Sequence, residues 1–175
     1  MRTKTLRYLA AVSVVLVLSA CSSAPPQTRT SLRALVLVEV AGSGPEAEAY
    51  AVRFLSVLSD AGLGNVADAR LAGGRLDSLR DATSAEAARF RAAWPGDGYL
   101  GIDLPGCGPA GRSGGVRCSG TIRLLSPEGK ELAKVEEGAS NFTMIAENPD
   151  RSPEVEAARA AAEKGARKLL AALPR

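Results

Sequence analysis

A glycine-rich segment between a candidate strand and a candidate helix has the residue types of a cofactor site. Residues 42–47 read GSGPEA, a G-x-G-x-x-A motif, and Asp68 follows near the end of a later candidate strand. This is the arrangement of a dinucleotide fingerprint, in which glycines let the backbone approach a pyrophosphate. Glu46 and Glu48 would face that pyrophosphate, and the sequence offers too few strands for a nicotinamide-binding fold. We therefore interpret the segment as a strand-to-helix turn and expect no cofactor.

Two further glycine motifs lie close together in the middle of the sequence. Residues 106–111 read GCGPAG, a G-x-G-x-x-G, and residues 111–115 read GRSGG, which matches the G-x-S-x-G of a nucleophile elbow. No candidate helix follows either segment. The sequence also contains no histidine, which removes the usual base of a catalytic triad and a common zinc ligand. Both segments are interpreted as loop.

Asp97 and Asp103 are the carboxylates placed best for acid–base catalysis, because they bracket the candidate strand around Tyr99. Their spacing along a regular strand separates them by roughly 20 Å, which is too far for either glycosidase geometry. Asp103 is expected to cap the strand end or to pair with an arginine. No catalytic or metal-binding group of residues remains, and we expect a protein that is not an enzyme.

Residues 1–20 have the composition of a secretory signal peptide. Met1–Arg7 is short and positive, and residues 8–18 read YLAAVSVVLVL, an apolar run too short to span a bilayer. Residues 18–21 read LSAC, which resembles the bacterial lipobox, in which the cysteine becomes the lipidated N-terminus. The alternative is an ordinary signal peptide followed by a chance cysteine. The lipobox interpretation predicts a membrane anchor of several acyl chains on Cys21.

The residues after the anchor indicate the location of the protein and the start of its folded part. Ser22 follows the cysteine where an aspartate would favour retention in the inner membrane. We therefore expect a lipoprotein of the outer membrane that faces the periplasm. Residues 21–31 comprise the lipidated cysteine and a short polar tether with two prolines. Residues 32–175 are expected to form one globular domain.

The remaining cysteines, Cys107 and Cys118, flank a stretch rich in glycine and proline. In an oxidising compartment they are candidates for a disulfide, which would contribute on the order of 3 kcal/mol by closing so short a loop. The alternatives are two free thiols or a metal site, although two thiolates without histidine make a poor zinc site. We expect the disulfide and no metal.

The balance of charge excludes several kinds of partner. The formal net charge is +3, but three of the 22 basic residues precede Cys21, which leaves 19 basic against 19 acidic residues. A mature chain of zero net charge has little attraction for a polyphosphate. Aromatic residues make up only 4% of the sequence, too few for a platform on which bases stack. We expect no nucleic-acid partner.

Hydrophobic periodicity predicts the element order β-α-β-α-β-β-β-α, an α/β (α+β) fold with helices packed on a single mixed sheet. The first strand is a run expected to be buried on both faces, and the first helix should end at Gly62 in a left-handed cap. Thr83 and Glu86 have the spacing of a capping box for the second helix, and Ser152 starts the third. The predicted strands cover residues 35–40, 65–71, 99–104, 117–125 and 132–136, with a further short candidate at 141–145.

This order resembles the small periplasmic α/β domain shared by the N-terminal part of TolB, CsgG proteins and LpoB activators. The resemblance rests on an opening strand (ALVLVEV), a helix with a late glycine (FLSVLSDAGL), and a short strand (NVADARL). A helix leading into a glycine-containing strand (AARFRAAWPGDGYLGIDL) follows, then the hairpin IRLLSPEGKELAKV and an alanine-rich helix. It covers nearly all of residues 33–173 and implies a non-catalytic adaptor of the envelope. Long amphipathic hairpins, as in CsgG, and the longer tether of LpoB are missing.

The leading functional hypothesis is an outer-membrane-anchored binding module that contacts another envelope protein during envelope assembly or maintenance. Its candidate binding surface is the disulfide loop, represented by Pro109, Arg112 and Ser113, since loops on rigid sheets often carry contacts. One alternative is a structural lipoprotein that self-associates into a homo-oligomer through an exposed sheet edge. The other alternative is an envelope enzyme with an unrecognised site.

Overall fold

The computed structural model describes residues 32–63, 65–111, 115–141 and 152–173. The predicted signal peptide, Cys21 and the predicted tether therefore lie outside the described residues. Two short 3-10 turns, Arg70–Ala72 and Asp77–Leu79, precede the second helix. Within the described ranges, no helix is long and apolar enough to cross a membrane. The elements in chain order are β1 (Ala34–Ala41), α1 (Pro45–Asp60), β2 (Asn65–Asp68), α2 (Ala85–Ala93), β3 (Gly98–Asp103), β4 (Cys107–Pro109), β5 (Val116–Leu125), β6 (Glu131–Asn141) and α3 (Pro153–Ala172).

All six strands belong to one mixed sheet. β1 pairs in parallel with β2 on one side and with β3 on the other, and β3 pairs antiparallel with β5. β6 pairs antiparallel with β5 along the whole of β5, so β4 pairs with the part of β5 that β3 leaves free. In the described sheet β2 and β6 are therefore the outermost strands, and the short β4 likewise pairs with β5 alone. The predicted α/β fold is confirmed, and β4 is an additional short strand.

β1 is buried on both faces, as its run of aliphatic residues predicts. Leu35 and Leu37 belong to the large core under α1 and α3, and Val36 and Val38 belong to a smaller core on the opposite face. None of these four side chains is more than 1% exposed. The alternation of a strand thus divides one apolar run between two cores.

α1 ends as its sequence predicts, at Gly62. This residue has a φ of +88°, a left-handed conformation that glycine adopts without a steric penalty. The backbone N–H of Leu63 donates to the carbonyl of Leu58 at 3.1 Å, and the Leu63 side chain is buried. The bond and the apolar contact together form the expected helix cap.

The two faces of the sheet are covered unequally. α1 and α3 pack side by side on one face, and α3 approaches closely because its buried surface consists mainly of small residues. Of the described residues, the other face carries α2 and the 3-10 turns, where Ala87 is buried and Phe90 and Trp94 are partly buried. The buried positions of α3 are Ala157, Ala158, Ala161, Ala162, Gly165, Ala166 and Leu169.

Three local predictions need correction. β2 ends at Asp68 rather than at residue 71, because Arg70–Ala72 forms a 3-10 turn. The cap of α2 is Ser84 rather than Thr83: the Ser84 hydroxyl accepts a hydrogen bond from the N–H of Ala87, whereas Thr83 bonds to Asp81. β6 is also much longer than residues 132–136, because pairing with β5 extends it through a segment of low strand propensity. The candidate strand at 141–145 lies outside the described residues except for Asn141.

Candidate functional site

The predicted disulfide between Cys107 and Cys118 is present and joins β4 to β5. The two cysteines are direct cross-strand partners, with Cα atoms 4.2 Å apart. Both sulfur atoms contact the carbonyl oxygen of Glu154 in the first turn of α3, at 3.8 and 3.3 Å, and Cys118 is fully buried. The bond therefore packs against the main core, whereas the sequence indicated only the closure of a loop.

The hairpin beyond the disulfide is the candidate binding loop. Pro109 is exposed at the end of β4, and the N–H of Ala110 donates to the carbonyl of Gly115 at 2.7 Å. Arg112 and Ser113 lie outside the described residues. The structure thus places the base of the loop on the rigid β4–β5 pair.

We call the end of the sheet that carries the Cys107–Cys118 bond the disulfide end. It lies opposite the end at which β1 begins. Leu32 lies two residues before the start of β1, whose first residues align with the start of β3, and the end of β3 leads to β4. The eight residues of β1 span roughly 26 Å. Leu32 and the Cys107–Cys118 bond are consequently separated by the length of the sheet.

The GSGPEA segment is a strand-to-helix turn, as interpreted. A Cβ on Gly42 would lie 2.8 Å from the carbonyl oxygen of Leu104, so the backbones approach too closely for another residue. A Cβ on Gly44 would lie 2.5 Å from Oε2 of Glu46, which shows that this carboxylate folds back over the helix start. A hollow of about 250 Å³ beside the turn is lined by Glu46 and Asp103, and two carboxylates do not suit a pyrophosphate.

Asp68 does not face that turn, because it belongs to a cluster at the edge of the sheet. The guanidinium of Arg70 bonds to Asp68 at 2.6 Å and to Glu48 of α1 at 2.7 Å. The hydrogen bond from Arg70 holds the pKa of Asp68 below its usual value, and bonds to both carboxylates raise the pKa of Arg70. The cluster joins the first turn of α1 to the end of β2.

The structure keeps the two candidate catalytic carboxylates apart. Asp97 accepts hydrogen bonds from the backbone N–H groups of Arg33 and Ala34, at 2.8 and 3.0 Å, and so stabilises the start of β1. Asp103 is exposed at the other end of β3. Across the described residues, no group of three or more His, Cys, Asp or Glu side chains is arranged to hold a metal ion.

An open groove follows the outer side of α1 and the unpaired edge of β2. We call it the β2-edge groove; its volume is about 500 Å³. Its apolar wall includes Val52, which is 53% exposed, and the Glu48–Asp68–Arg70 cluster closes one end. The residues that line it are Glu48, Val52, Leu55, Ser56, Ser59, Leu63, Val66, Asp68 and Arg70.

A second, more polar hollow of about 320 Å³ lies on the part of the sheet that α2 does not reach. Arg117, Ser119 and Thr121 of β5 and Glu136 of β6 line it, together with Lys168 of α3. The Lys168 ammonium donates to the backbone carbonyl of Glu136 at 3.0 Å. Short polar side chains and balanced charges indicate a solvated sheet face.

Sequence reasoning missed one buried polar group, the hydroxyl of Tyr50. This side chain of α1 is fully buried against β5 and α3, and among the described residues its Oη has no hydrogen-bond partner. Burial, and secondarily the charge of Glu137, raises the pKa of Tyr50 above its usual range. The sequence contains a signal for this contact only in Gly120 and Gly165, which leave space for the ring.

Comparison with solved structures indicates what the fold is similar to. The chain is similar to PelC of Paraburkholderia phytofirmans, solved as a dodecamer, with a TM-score of 0.54 and 11% sequence identity over 82% of this chain and 89% of PelC. Lipoprotein GNA1162 of Neisseria meningitidis is less similar, with a TM-score of 0.45 and 16% identity over 66% of this chain and 88% of its own. No protein-family model and no curated protein matches the sequence.

The likeness to PelC shows a shared fold. It agrees with the predicted single sheet with packed helices, which the topology establishes independently. The resemblance to the TolB, CsgG and LpoB type stays a prediction.

Proposed function

We propose that this chain is a lipid-anchored, non-catalytic adaptor of the bacterial envelope that binds another envelope protein through its disulfide end. The observation that carries the proposal is the position of that end, which lies across the sheet from Leu32. An anchor at Cys21 would hold the Leu32 end near the outer membrane. The disulfide end would then project away from the lipid surface.

The length of the predicted tether supports this orientation. Residues 22–31 bridge about 35 Å at most when fully extended. The Leu32 end of the domain therefore stays within that distance of the membrane. A partner in the periplasm would meet first the exposed Pro109 and the hairpin beyond it. A disulfide packed against α3 gives this surface a rigid base, which lowers the entropy lost on binding.

The non-catalytic part of the proposal rests on the arrangement of the polar groups. Asp97 is committed to the backbone of β1, and Asp68 is committed to Arg70. The turn at Gly42, which has the motif of a cofactor site, faces carboxylates. None of these groups has the nucleophile–base geometry that covalent catalysis requires.

Site-specific photo-crosslinking tests the adaptor function in cells that express the full chain. A photoreactive phenylalanine analogue replaces Pro109, Arg112 or Ser113 in turn. The matched control carries it at Glu128, which is exposed in the β5–β6 turn at the opposite end of the sheet. We expect one discrete adduct with a different protein from the loop positions and none from Glu128.

The controls separate the outcomes of this experiment. The double variant Cys107→Ser with Cys118→Ser, carrying the crosslinker at Pro109, should give several-fold less adduct while remaining folded. Equal adducts from Glu128 and the loop would contradict the orientation. Turnover of a muropeptide or an ester by the purified lipoprotein would contradict the non-catalytic assignment.

A second candidate function is self-association into a homo-oligomer. The observation that favours it is the combination of a fold similar to that of the PelC dodecamer with two sheet edges that are unpaired in the described residues. Unpaired edges are templates for strand addition. Light scattering of the lipidated protein in detergent measures its mass directly.

A further inference from the structure

We propose that the β2-edge groove receives the edge formed by β6 and α3 of a second copy of this chain. The inference rests on the second candidate function, self-association, and specifies its interface. The contact is head-to-tail, so each copy uses a different surface toward each neighbour.

The β2-edge groove has the apolar character of a docking surface. Leu55, Leu63 and Val66 form its floor, and Val52 on its rim is 53% exposed. Among the described residues, Val52 and Leu71 are the two large hydrophobic side chains that are exposed. Packing a neighbour into the groove would remove Val52 from water.

The backbone along the groove is also unpaired. β2 pairs only with β1, and β6 pairs only with β5, within the residues that the structure describes. The four residues of β2 read NVAD and contain neither proline nor lysine, although the strand is short and ends in the charged Asp68. The edge of β2 can therefore accept hydrogen bonds from another strand.

The direction of the strands favours a head-to-tail contact over a symmetric one. β2 is parallel to β1 and β3, β5 is antiparallel to these, and β6 is antiparallel to β5. β6 therefore runs in the same direction as β2. A copy that adds its β6 to β2 continues the sheet in parallel and keeps every Leu32 end on the same side.

That common side matters because all copies would be anchored in one membrane. An antiparallel contact of β2 with β2 would direct the two Leu32 ends away from each other, along the strand axis. The predicted tether of residues 22–31 has little length to compensate. Head-to-tail contacts place all anchors in one plane, and they close into a ring when the rotation allows.

The charges of the two edges are complementary. The β2 edge carries Glu48, Asp68 and Arg70, which together have one net negative charge. The α3 side of the β6 edge carries Glu137 with Lys164 and Lys168, a set with one net positive charge. Both lysines are exposed, so they are accessible to a neighbour. Complementary charge orients such a contact more than it strengthens it.

The register of the sheet indicates which residues would meet. Across successive strands, Ala67 is level with Val36, Tyr99, Leu125 and Glu131. Two copies standing at equal height on a membrane would therefore bring Ala67 of one copy opposite Glu131 of its neighbour. Small vertical shifts would bring it opposite Leu132 or Ala133.

Cysteine crosslinking in the full-length lipoprotein tests the interface. Ala67→Cys is combined in one chain with Glu131→Cys, Leu132→Cys or Ala133→Cys, and membranes are treated with a mild oxidant. We expect at least one combination to give a ladder of dimers and larger species on non-reducing gels. Each single-cysteine variant should stay monomeric. In the matched control, Arg75→Cys, at a residue that is exposed elsewhere, takes the place of Ala67→Cys.

Every other result overturns the proposal. Dimers from Ala67→Cys alone would indicate a symmetric contact. An adduct of Ala67→Cys with a different protein would assign the groove to another partner. No crosslink from any combination, in protein that retains its Cys107–Cys118 bond and helical circular dichroism, would show that the edges do not meet.

A substitution in the groove gives an independent measurement. Val52→Glu should reduce the ladder about tenfold or more, because a charge would be buried without a partner. Leu71→Glu, at an even more exposed apolar residue outside the groove lining, should leave the ladder unchanged. Photo-crosslinking at Pro109 reports the adaptor function separately, so a failure of either proposal is distinguishable from a failure of the other.

Discussion

The contact between Tyr50 and Gly165 makes a quantitative prediction about the core. A Cβ on Gly165 would lie 2.8 Å from the Tyr50 hydroxyl oxygen and 2.7 Å from Cδ1 of Ile122. Both distances are shorter than side-chain carbons normally adopt. We therefore expect Gly165→Ala to destabilise the protein, although the same change stabilises most helix interiors.

The magnitude follows from two opposing effects. Replacing a helix glycine by alanine usually contributes about 1 kcal/mol of stability, whereas overpacking a dense core costs about 1–3 kcal/mol. Gly165→Ala should therefore lower the free energy of unfolding by up to about 2 kcal/mol. The Tyr50 hydroxyl is buried without a hydrogen-bond partner in the part of the chain that the structure describes, so Tyr50→Phe should be neutral or stabilising by about 1 kcal/mol.

The double variant isolates the contact itself. With Tyr50→Phe already present, a Cβ on Gly165 loses its contact with the hydroxyl oxygen, and its remaining close contact is with Cδ1 at the end of the Ile122 side chain. The double change should therefore be about 1–2 kcal/mol more stable than the sum of the single changes predicts.

Urea unfolding followed by circular dichroism measures the free energy of unfolding of the parent chain, the two single variants and the double variant, compared at constant m-value. Tyr99→Phe is the matched control, because the Tyr99 hydroxyl donates to the carbonyl of Trp94 at 3.0 Å and its loss should cost about 1 kcal/mol. If Tyr50→Phe costs as much as Tyr99→Phe, the Tyr50 hydroxyl has a partner. If Gly165→Ala stabilises the protein, the packing described here is wrong.

Three further predictions concern the anchor, the core and an edge cluster. Cys21→Ala should abolish labelling by a palmitate analogue and release the protein from membranes; a variant that still takes up the label would contradict the lipobox. Phe54→Ala should lower the free energy of unfolding, measured in urea, by about 3–5 kcal/mol, since Phe54 is fully buried on the core side of α1. The lowered pKa of Asp68 stabilises the fold above its ordinary value of 3.8, and this contribution is lost as the pH falls below it. Arg70→Met should therefore reduce the difference in unfolding free energy between pH 6 and pH 3, and an unchanged difference would refute that coupling.

Local signals predicted those elements whose boundaries depend on neighbouring residues. Gly62 ends α1 because the left-handed cap requires glycine, and Ser152 begins α3 because its hydroxyl accepts from the N–H of Val155. The double burial of β1 followed from a run of aliphatic residues without polar alternation. The choice of Ser84 over Thr83 shows the limit, since adjacent hydroxyls compete and the exact helix start decides between them.

Elements that depend on distant partners were predicted less well. Gly138, Ala139 and Ser140 have low strand propensity, yet they extend β6 because each pairs with a residue of β5. β4 consists of a cysteine, a glycine and a proline, and only the disulfide and the pairing with β5 define it as a strand. In both cases the partner strand supplies the stability that local sequence lacks.

The same dependence explains why the sequence did not indicate the β2-edge groove. Val52 has the spacing of an ordinary outer position of an amphipathic helix, and Val66 is one residue of a short strand. Their role depends on the strand order. β2 is an edge strand, so within the described residues no further helix covers the side of α1 that faces outward there. An edge is defined by the strand that is missing, and a single sequence carries no direct signal of a missing neighbour. A docking surface of this type therefore becomes visible only once the strand order is known.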